Sequence, residues 1–486
     1  MTTTSGTVTT QIGERERLRH AWRTLSVVSM ASVLTALGGS ALNVALPQVV
    51  RQTHASADAA SWILLAFQLT TTVLMVVFGR LADLFGRRAM YLGGLATYTA
   101  ASLLAGFAPD AWLIVGLRVV QAAGGAMLLT NSAALVTDAF PRSRLGEGMG
   151  VYTASFSIAQ LAGPTLGGLF SEHLGWRWVF WYNVPIGVAC LVWGAVALHP
   201  GRPAVQDKGL DLPGNALILA CLGGLLLALS EVTRLGWDHP LVVSGLAVFA
   251  VTLPLFAVRE LRARHPVVDL RMFRDAPFAL GTLASFLNSV ARVGVVFLVS
   301  LFFQAVHGED PVRAALKVLP LSVAAMGASV ASGFLQRRLS ARTAAMIGTS
   351  LTTAGLLALL AVVSPDASYV PISAALVLVG VGSGLFLPSN TTAILHGLPS
   401  NRLGIVNAMR LMLQNTGVVV GTALVLSIIT MPLPAALHEY VFAGTLSHVS
   451  PAGVAQLVTG YRWALGCMTA ISALAVLTCV TRRRAG

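Results

Sequence analysis

Runs of about 20 apolar residues, the length a helix needs to cross the hydrocarbon of a bilayer, recur along this chain from Ala21 to Val480 with short polar connections between them. No other feature restricts the fold as much. Inside lipid there is no water to satisfy the backbone, so each run must close its own hydrogen bonds as a helix. Fourteen such spans are predicted between residues 23 and 481. Only 10% of the chain is charged and 55% is hydrophobic, against roughly a quarter charged in an ordinary soluble domain. The predicted fold class is therefore an all-α polytopic membrane protein.

The charge pattern sets an orientation. A net charge of +13 raises the question of nucleic acid, but the arginines cluster in the connections between spans, where the bias of Lys and Arg toward the cytoplasm explains them. With the amino terminus inside, twenty-three of the 32 Lys and Arg fall on inner segments and five on outer ones. An even number of spans then puts both termini in the cytoplasm, in a plasma (inner) membrane. Residues 1–22 lack the apolar core and small-residue cleavage site of a signal peptide and read as a cytoplasmic tail. Cys190, Cys221, Cys467 and Cys479 lie inside apolar runs with neither paired nor metal-like spacing, so they read as packing residues. No cofactor, metal or nucleic acid is expected; the expected partners are the lipid bilayer and a small molecule, and the expected state is a monomer.

A repeat is visible at the loops after the second and tenth spans. Gly79-Arg80-Leu81-Ala82-Asp83-Leu84-Phe85-Gly86-Arg87-Arg88 aligns with Gly333-Phe334-Leu335-Gln336-Arg337-Arg338-Leu339-Ser340-Ala341-Arg342, which keeps the opening Gly and the closing Arg. Paired halves are a common construction among secondary transporters. The organisation read from this is a six-helix bundle over 23–198, an inserted helix pair with its linkers over 199–276, and a second six-helix bundle with a short basic tail over 277–486.

The segment from Gly79 to Arg88 resembles the loop signature of the major facilitator superfamily. Its glycines permit a tight turn, and Asp83 is placed to pair with Arg87, Arg88 or a neighbouring helix end. Three further stretches extend the resemblance: Arg118-Val119-Val120-Gln121-Ala122-Ala123-Gly124 in the fourth span, Gly163-Pro164-Thr165-Leu166-Gly167-Gly168 in the fifth, and Gly175 through Gly187 at the start of the sixth. With Asn43-Val44-Ala45-Leu46-Pro47 in the first span, the chain is similar to the fourteen-span drug/proton antiporters of that superfamily. The resemblance implies a major facilitator fold, export of a drug, antibiotic or secondary metabolite by alternating access, and gating or coupling roles for Asp83, Arg87, Arg88, Arg118, Gly163, Pro164, Gly167 and Gly168. Pro164 would kink its helix and the glycines would let neighbours slide; ordinary small-residue packing is the alternative.

One departure matters. Counting back from Asn43, the position where those antiporters usually carry Asp holds Gly38. All 19 acidic residues and all ten histidines fall in connections or at span ends. A proton-coupled mechanism wants an intramembrane acid, so coupling falls to Asp83, Asp138 or Glu231, or is absent. What the membrane does contain is arginine. Arg292 sits near the middle of the ninth span, and Ser285, Asn288 and Arg292 share one helical face. At that depth a guanidinium costs about 2.5–3.5 kcal/mol on insertion scales, so it should face water, a substrate or a partner. Asn288 and Arg292, with Asn43, Gln68, Gln121 and Gln414, form the predicted substrate-facing set, suited to an anionic or carbonyl-rich compound. The alternatives are an arginine that caps backbone carbonyls and amides that join helices. Arg118 and Arg410, within two turns of span ends, are placed to snorkel, and six tryptophans, Trp176 among them, read as an interfacial belt.

An enzyme would need convergent His, Cys or acidic residues at depth, and no phosphate-cradling Gly-rich Lys loop is present to drive transport with ATP. A facilitator or importer of an anionic or neutral molecule, or a sensor that does not transport, are the other readings; the outward direction rests on the resemblance alone. If both ends are cytoplasmic, green fluorescent protein fused after Gly486 fluoresces in cells, and alkaline phosphatase at the same place is inactive; the reverse pair of results would overturn the orientation.

Overall fold

The computed structural model of the protein describes residues 5–199, 211–263, 270–309, 311–396, 403–434, 437 and 451–485. Apart from short connections it is helical there; thirteen of the predicted spans each fall on one helix and the sixth is shared by α6 and α7. In chain order these are α1 (Ser5–Thr53), α2 (Ala57–Phe85), α3 (Arg87–Ala105), α4 (Ala111–Ala139), α5 (Leu145–His173), the single turn α6 (Trp178–Trp181), α7 (Asn183–Ala197), α8 (Leu212–Leu235), α9 (Pro240–Arg262), α10 (Ala276–Ala305), α11 (Pro311–Leu335), α12 (Ala341–Val362), α13 (Tyr369–Leu395), α14 (Leu403–Thr430) and α15 (Pro451–Ala485). Arg202, Lys208 and Arg402, counted above in setting the orientation, lie outside the described residues.

Twelve of these helical stretches are long and apolar enough to cross a membrane, with α6 and α7 forming one of them. The two that fall short are α3 and α5. The first is short and opens on Arg87 and Arg88, and it turns Tyr91, Tyr98, Thr99 and Ser102 inward; the second carries Glu147 in its first turn and several hydroxyls. The polar side chains of α3 face protein, and the hydroxyls of Thr153, Ser155 and Ser157 on α5 bond carbonyls of their own helix, which is why hydropathy alone under-reads both. Outside, the pattern inverts that of a soluble protein: Phe107, Val192, Val196, Val251, Val370 and Leu477 are all more than half exposed, as side chains that meet acyl chains must be. Trp112, Trp178, Trp237 and Trp463 are exposed as the belt requires, but Trp176 is not. It is fully buried and its ring meets Phe180 edge-on, because Gly175, at φ 91°, turns the chain back beneath α6.

Local chemistry sets the helix ends. Ser56, Asp110 and Ser340 each accept a hydrogen bond from the amide three residues on, at 3.2, 2.9 and 3.1 Å, the usual N-cap arrangement. Gly86 parts α2 from α3 at φ 94°, a backbone conformation that a β-carbon disfavours. At the base of α8, Asp211 accepts from Arg259 of α9 at 3.0 Å and from the Gly214 amide at 3.1 Å. Burial pushes the Asp211 carboxyl up, but these donors outweigh it and hold the group below the ordinary carboxylate range.

The chain divides into two compact units. One comprises 1–219, 253–269 and 395–412, the other 220–252, 270–394 and 413–486, so that α8, α9 and α14 each contribute to both. In the first, α1 packs along α5, α2 along α4, and α3 between α4 and α7; its core holds Leu37, Leu42, Ile63, Ile114, Trp176 and Phe180. In the second, α10 and α12 pack on α15, and the core holds Leu298, Phe302, Phe303, Leu356, Leu376, Tyr461 and Met468.

The internal repeat is written into the packing. In the first unit a β-carbon on Gly124 would lie 2.7 Å from the Tyr98 amide nitrogen and 2.8 Å from the Gly94 carbonyl. In the second, one on Gly382 would press on the amide of Thr352 and lie 2.6 Å from the Gly348 carbonyl. The register that brings Gly79 onto Gly333 also brings Gly94 onto Gly348 and Tyr98 onto Thr352. Both helix pairs, α3 with α4 and α12 with α13, thus touch backbone to backbone through glycines at matching places, the close approach that small residues allow in lipid. Gly348→Val would drive its side chain into the Phe386 amide at 2.7 Å, a backbone that cannot step aside. Overpacking of this kind costs about 1–3 kcal/mol, so its thermal unfolding midpoint in detergent should fall by several degrees. Gly116→Val, where nothing lies within 4 Å of the added carbon, should leave it unchanged.

Candidate functional site

The first cluster of predicted residues gathers where α2 meets the start of α14. Asp83 is buried, and its carboxylate accepts from the Ile405 amide at 3.1 Å, on the first turn of α14, and from Arg87 at 3.4 Å. The first amides of a helix have no partner of their own and carry partial positive charge, so a carboxylate there is doubly favoured. Glycines make the approach possible. A β-carbon on Gly404 would lie 2.9 Å from the Asp83 Cγ, and one on Gly79 would meet Ala408, the Gly404 carbonyl and Thr130. Asn407 adds a third strand to the knot by donating to the Thr130 carbonyl at 2.6 Å. Arg87 bridges onward to Asp138 at the end of α4. Arg88 turns away and donates to the Ala195 carbonyl of α7 at 2.8 Å. Of the three partners open to Asp83 in sequence, the structure selects Arg87 and the helix end.

The second cluster surrounds Arg118, and it corrects the snorkelling reading. Arg118 is 1% exposed. It donates to the Gln121 side-chain oxygen at 2.7 Å, to the Ile63 carbonyl at 3.2 Å and to the Gly38 carbonyl at 3.3 Å, and it lies 4.1 Å from the Phe67 ring centre. Gln121 in turn donates to Ser102 at 2.7 Å. No carboxylate pairs with Arg118 among the described residues; carbonyl dipoles and a ring face replace it. Arg410 is likewise turned inward, where Asn407 accepts from it at 3.0 Å. Gly38, the position of the absent acid, lies beside this nest. The Tyr98 hydroxyl, which donates to the Leu34 carbonyl at 3.3 Å, occupies the space that a β-carbon on Gly38 would need. Tyr98 and Phe67, whose side chains border this nest, carried no sequence signal; the glycine opposite them did.

Around α1 the fifth helix packs by contact of small residues. A β-carbon on Gly163 would collide with Ser40, and one on Gly167 would lie 2.8 Å from the Ala41 Cα. Gly168 is half-buried on the same helix, which runs unbroken through position 164; the Pro164 side chain lies outside the described residues.

The predicted substrate-facing residues do not form one group. Gln121 belongs to the Arg118 nest, Gln68 is exposed on α2, and Gln414 is half-buried on α14 and already engaged. The Asn43 side chain lies outside the described residues. Asn288 and Arg292 remain one turn apart on α10. Asn288 is fully buried, with neither side-chain atom hydrogen-bonded among the described residues, and the Arg292 Nε is also buried without a partner. Below them on the same face, Asn390 of α13 donates to Ser285 at 2.7 Å and to the Gly281 carbonyl at 2.9 Å.

The chain matches the Major Facilitator Superfamily over residues 28–422. It belongs to that superfamily. Among curated members of the superfamily, it is 29% identical over 402 residues to the tetracenomycin C resistance and export protein of Streptomyces glaucescens, covering 83% of this chain and 74% of that one. It is 31% identical over 418 residues to the multidrug resistance protein Stp of Mycobacterium tuberculosis, covering 86% and 77%. Solved members share the fold: the human organic anion transporter MFSD10 (TM-score 0.62, 16% identity, 93% of this chain and 99% of that one) and the proton:xylose symporter XylE (0.63, 11%, 94% and 95%). This superfamily member is thus a multi-pass membrane transporter of small molecules and not an enzyme.

The crowding at Gly38 makes a test of how far this member has moved from an acid at that place. Gly38→Asp should lower the unfolding midpoint by several degrees, as overpacking of about 1–3 kcal/mol implies. Adding Tyr98→Thr, which vacates the space beside Arg118, should restore most of it. Equal midpoints for Gly38→Asp and wild type would show that the tyrosine does not exclude the acid.

Proposed function

We propose that this protein exports a drug, antibiotic or secondary metabolite across the plasma membrane by alternating access, with both termini in the cytoplasm. The observation that carries the reading is the knot of α2, α4 and α14. A buried carboxylate held by a helix start, Arg87 and three close-packed glycine and threonine contacts is a fastening that can be made or broken as one unit. Losing the Asp83 to Ile405 bond frees the first turns of α14 from α2 and α4, the kind of discrete rearrangement alternating access needs. The outward direction is supported by relatives, which carry names of resistance and export.

The coupling ion is the second part of the reading. Gly38 removes the first-span acid, and the Tyr98 hydroxyl fills its place. The carboxylates left to carry a proton are Asp83, Asp138 at the edge of the same knot, and Glu231, buried on α8. The empty first-span position also favours an uncoupled facilitator. Both readings are tested in everted vesicles offered anionic, neutral and cationic compounds from outside, with and without an imposed pH gradient. A proton-coupled exporter stops accumulating substrate when nigericin collapses the gradient, whereas a facilitator keeps its downhill flux. In either case Asp83→Asn, which weakens the fastening by roughly 1–2 kcal/mol, should slow transport by about tenfold while membrane insertion is unchanged. Absence of flux for every class of compound would leave a sensor rather than a transporter.

A further inference from the structure

The buried Arg118 of the first half and the half-buried Arg292 of the second are treated differently. In the register that joins Gly79 to Gly333 and Tyr98 to Thr352, Gly38 falls on Arg292. The volumes are exchanged: α1 and α3 supply Gly38 and Tyr98, while α10 and α12 supply Arg292 and Thr352. In the first half, Arg118 arrives from α4 and is satisfied by Gln121, two carbonyls and the Phe67 ring. The corresponding stretch of α13, aligned through Gly124 and Gly382, has Leu376 in place of Arg118 and Val379 in place of Gln121. Arg292 therefore has no built-in nest of that kind. Among the described residues it makes no hydrogen bond or ion pair, and its Nε is buried. One turn below, Asn288 is fully buried with both the donor and the acceptor of its amide unused.

No carboxylate of these helices can answer the charge. From Ala276 to Ala305, and through α11, α12, α13, α14 and α15, there is no Asp or Glu; the acids of this half, Glu309, Asp310, Asp366 and Glu439, all fall outside the ranges of these helices in the sequence. Ser285 is spent on α13 through Asn390, but Asn288 and Arg292 are not spent on helix packing. Gly417 and Gly421 of α14 close on the Phe286 and Val290 carbonyls, on another side of α10. A buried amide and a half-buried guanidinium, one turn apart and without a hydrogen-bond partner among the described residues, describe a site that is completed by something else.

The geometry points to Arg292 and Asn288 as the binding site for an oxyanion of the transported molecule, a carboxylate or ionised phenol with a hydroxyl beside it. Deepening the transport reading above, on which it rests, this assigns the substrate class. The guanidinium offers its fork of donors and the amide nitrogen adds another, all requiring an acceptor, while the amide oxygen requires a donor in return. An oxyanion with a neighbouring hydroxyl meets all three demands. An organic cation can serve only the amide oxygen, and it would bring a second positive charge to a place without a carboxylate.

The test uses the full chain purified in detergent and two dyes that share a xanthene ring. Fluorescein carries a carboxylate and an ionised phenol; rhodamine 6G is esterified and cationic. By fluorescence polarisation, fluorescein should bind more tightly than rhodamine 6G, and salicylate should displace it while benzylammonium does not. Arg292→Gln should weaken fluorescein by about tenfold or more, the loss expected for a charge-assisted hydrogen bond. Asn288→Leu should weaken it less, and Arg292→Lys, which keeps the charge without the fork, should fall between Arg292→Gln and wild type. Should Arg292→Gln fail to elute as a single species, the Lys and Leu variants carry the same comparison. Tighter binding of rhodamine 6G, absence of fluorescein binding, or equal fluorescein affinity in all folded variants overturns the site. Counterflow in proteoliposomes separates this from the transport reading. Binding of fluorescein lost in Arg292→Gln, but without flux, leaves the anion site and removes the transporter; flux of rhodamine 6G without fluorescein does the opposite.

Discussion

A charge held inside lipid-spanning helices has to be answered within the protein or by what the protein carries, since the surrounding hydrocarbon offers neither water nor counter-ion. Asp83, Arg118 and Arg292 show three answers. Asp83 takes the amide of Ile405 at a helix start together with Arg87, and its charge becomes a fastening between helices. Arg118 is surrounded by carbonyls, an amide and a ring, and its charge becomes part of the core. Arg292 meets neither arrangement among the described residues. Two of the charges are therefore structural in how they are paired, and the third has its pairing left open.

The glycines explain how such groups are brought within reach. Each helix contact that matters is one where two backbones nearly touch: Gly124 on Tyr98 and Gly382 on Thr352, Gly163 and Gly167 on α1, Gly79 and Gly404 around Asp83. Without a hydrophobic drive between helices in lipid, dispersion and hydrogen bonds at these close approaches supply the cohesion. They also fix depth. With α3 and α4 locked at Gly94 and Gly124, the Tyr98 hydroxyl has no choice but to fill the space beside Gly38, and the carbonyl of Gly38 is left for Arg118.

The periodicity of apolar residues made the helices legible, and the segment from Gly79 to Arg88 made the knot at Asp83 legible down to its alternatives, because turn glycines and a paired acid leave a local signature. The surroundings of Arg118 were not legible. Its distance from the span end allowed snorkelling, and what prevents it is long-range: Ile63, Phe67 and Gly38 come from two other helices, and no spacing within α4 announces them. Trp176 was misread for the same reason, since an aromatic near a span end belongs to the interface unless a turn such as that at Gly175 folds it inward. The Asn288 and Arg292 pair was legible as a shared face. That its partners are missing emerged only once α13 and α14 were seen to engage other sides and residues of α10.

On the oxyanion reading, the missing acid at Gly38 and the open arginine at position 292 are two consequences of one change of sign. A carrier that expels organic cations must lift positive charge against an inside-negative membrane potential, at about 2.3 kcal/mol per charge for each 100 mV, and a titratable carboxylate in the first span both attracts the cation and admits the proton that drives its release. An anion leaving the cell moves down the same potential by the same amount. A protein that binds oxyanions at Arg292 gains its driving force from the membrane itself, has no need of a carboxylate facing its substrate, and would be hindered by one. A Tyr98 hydroxyl in that position, and six helices from α10 to α15 without Asp or Glu, suit such a load.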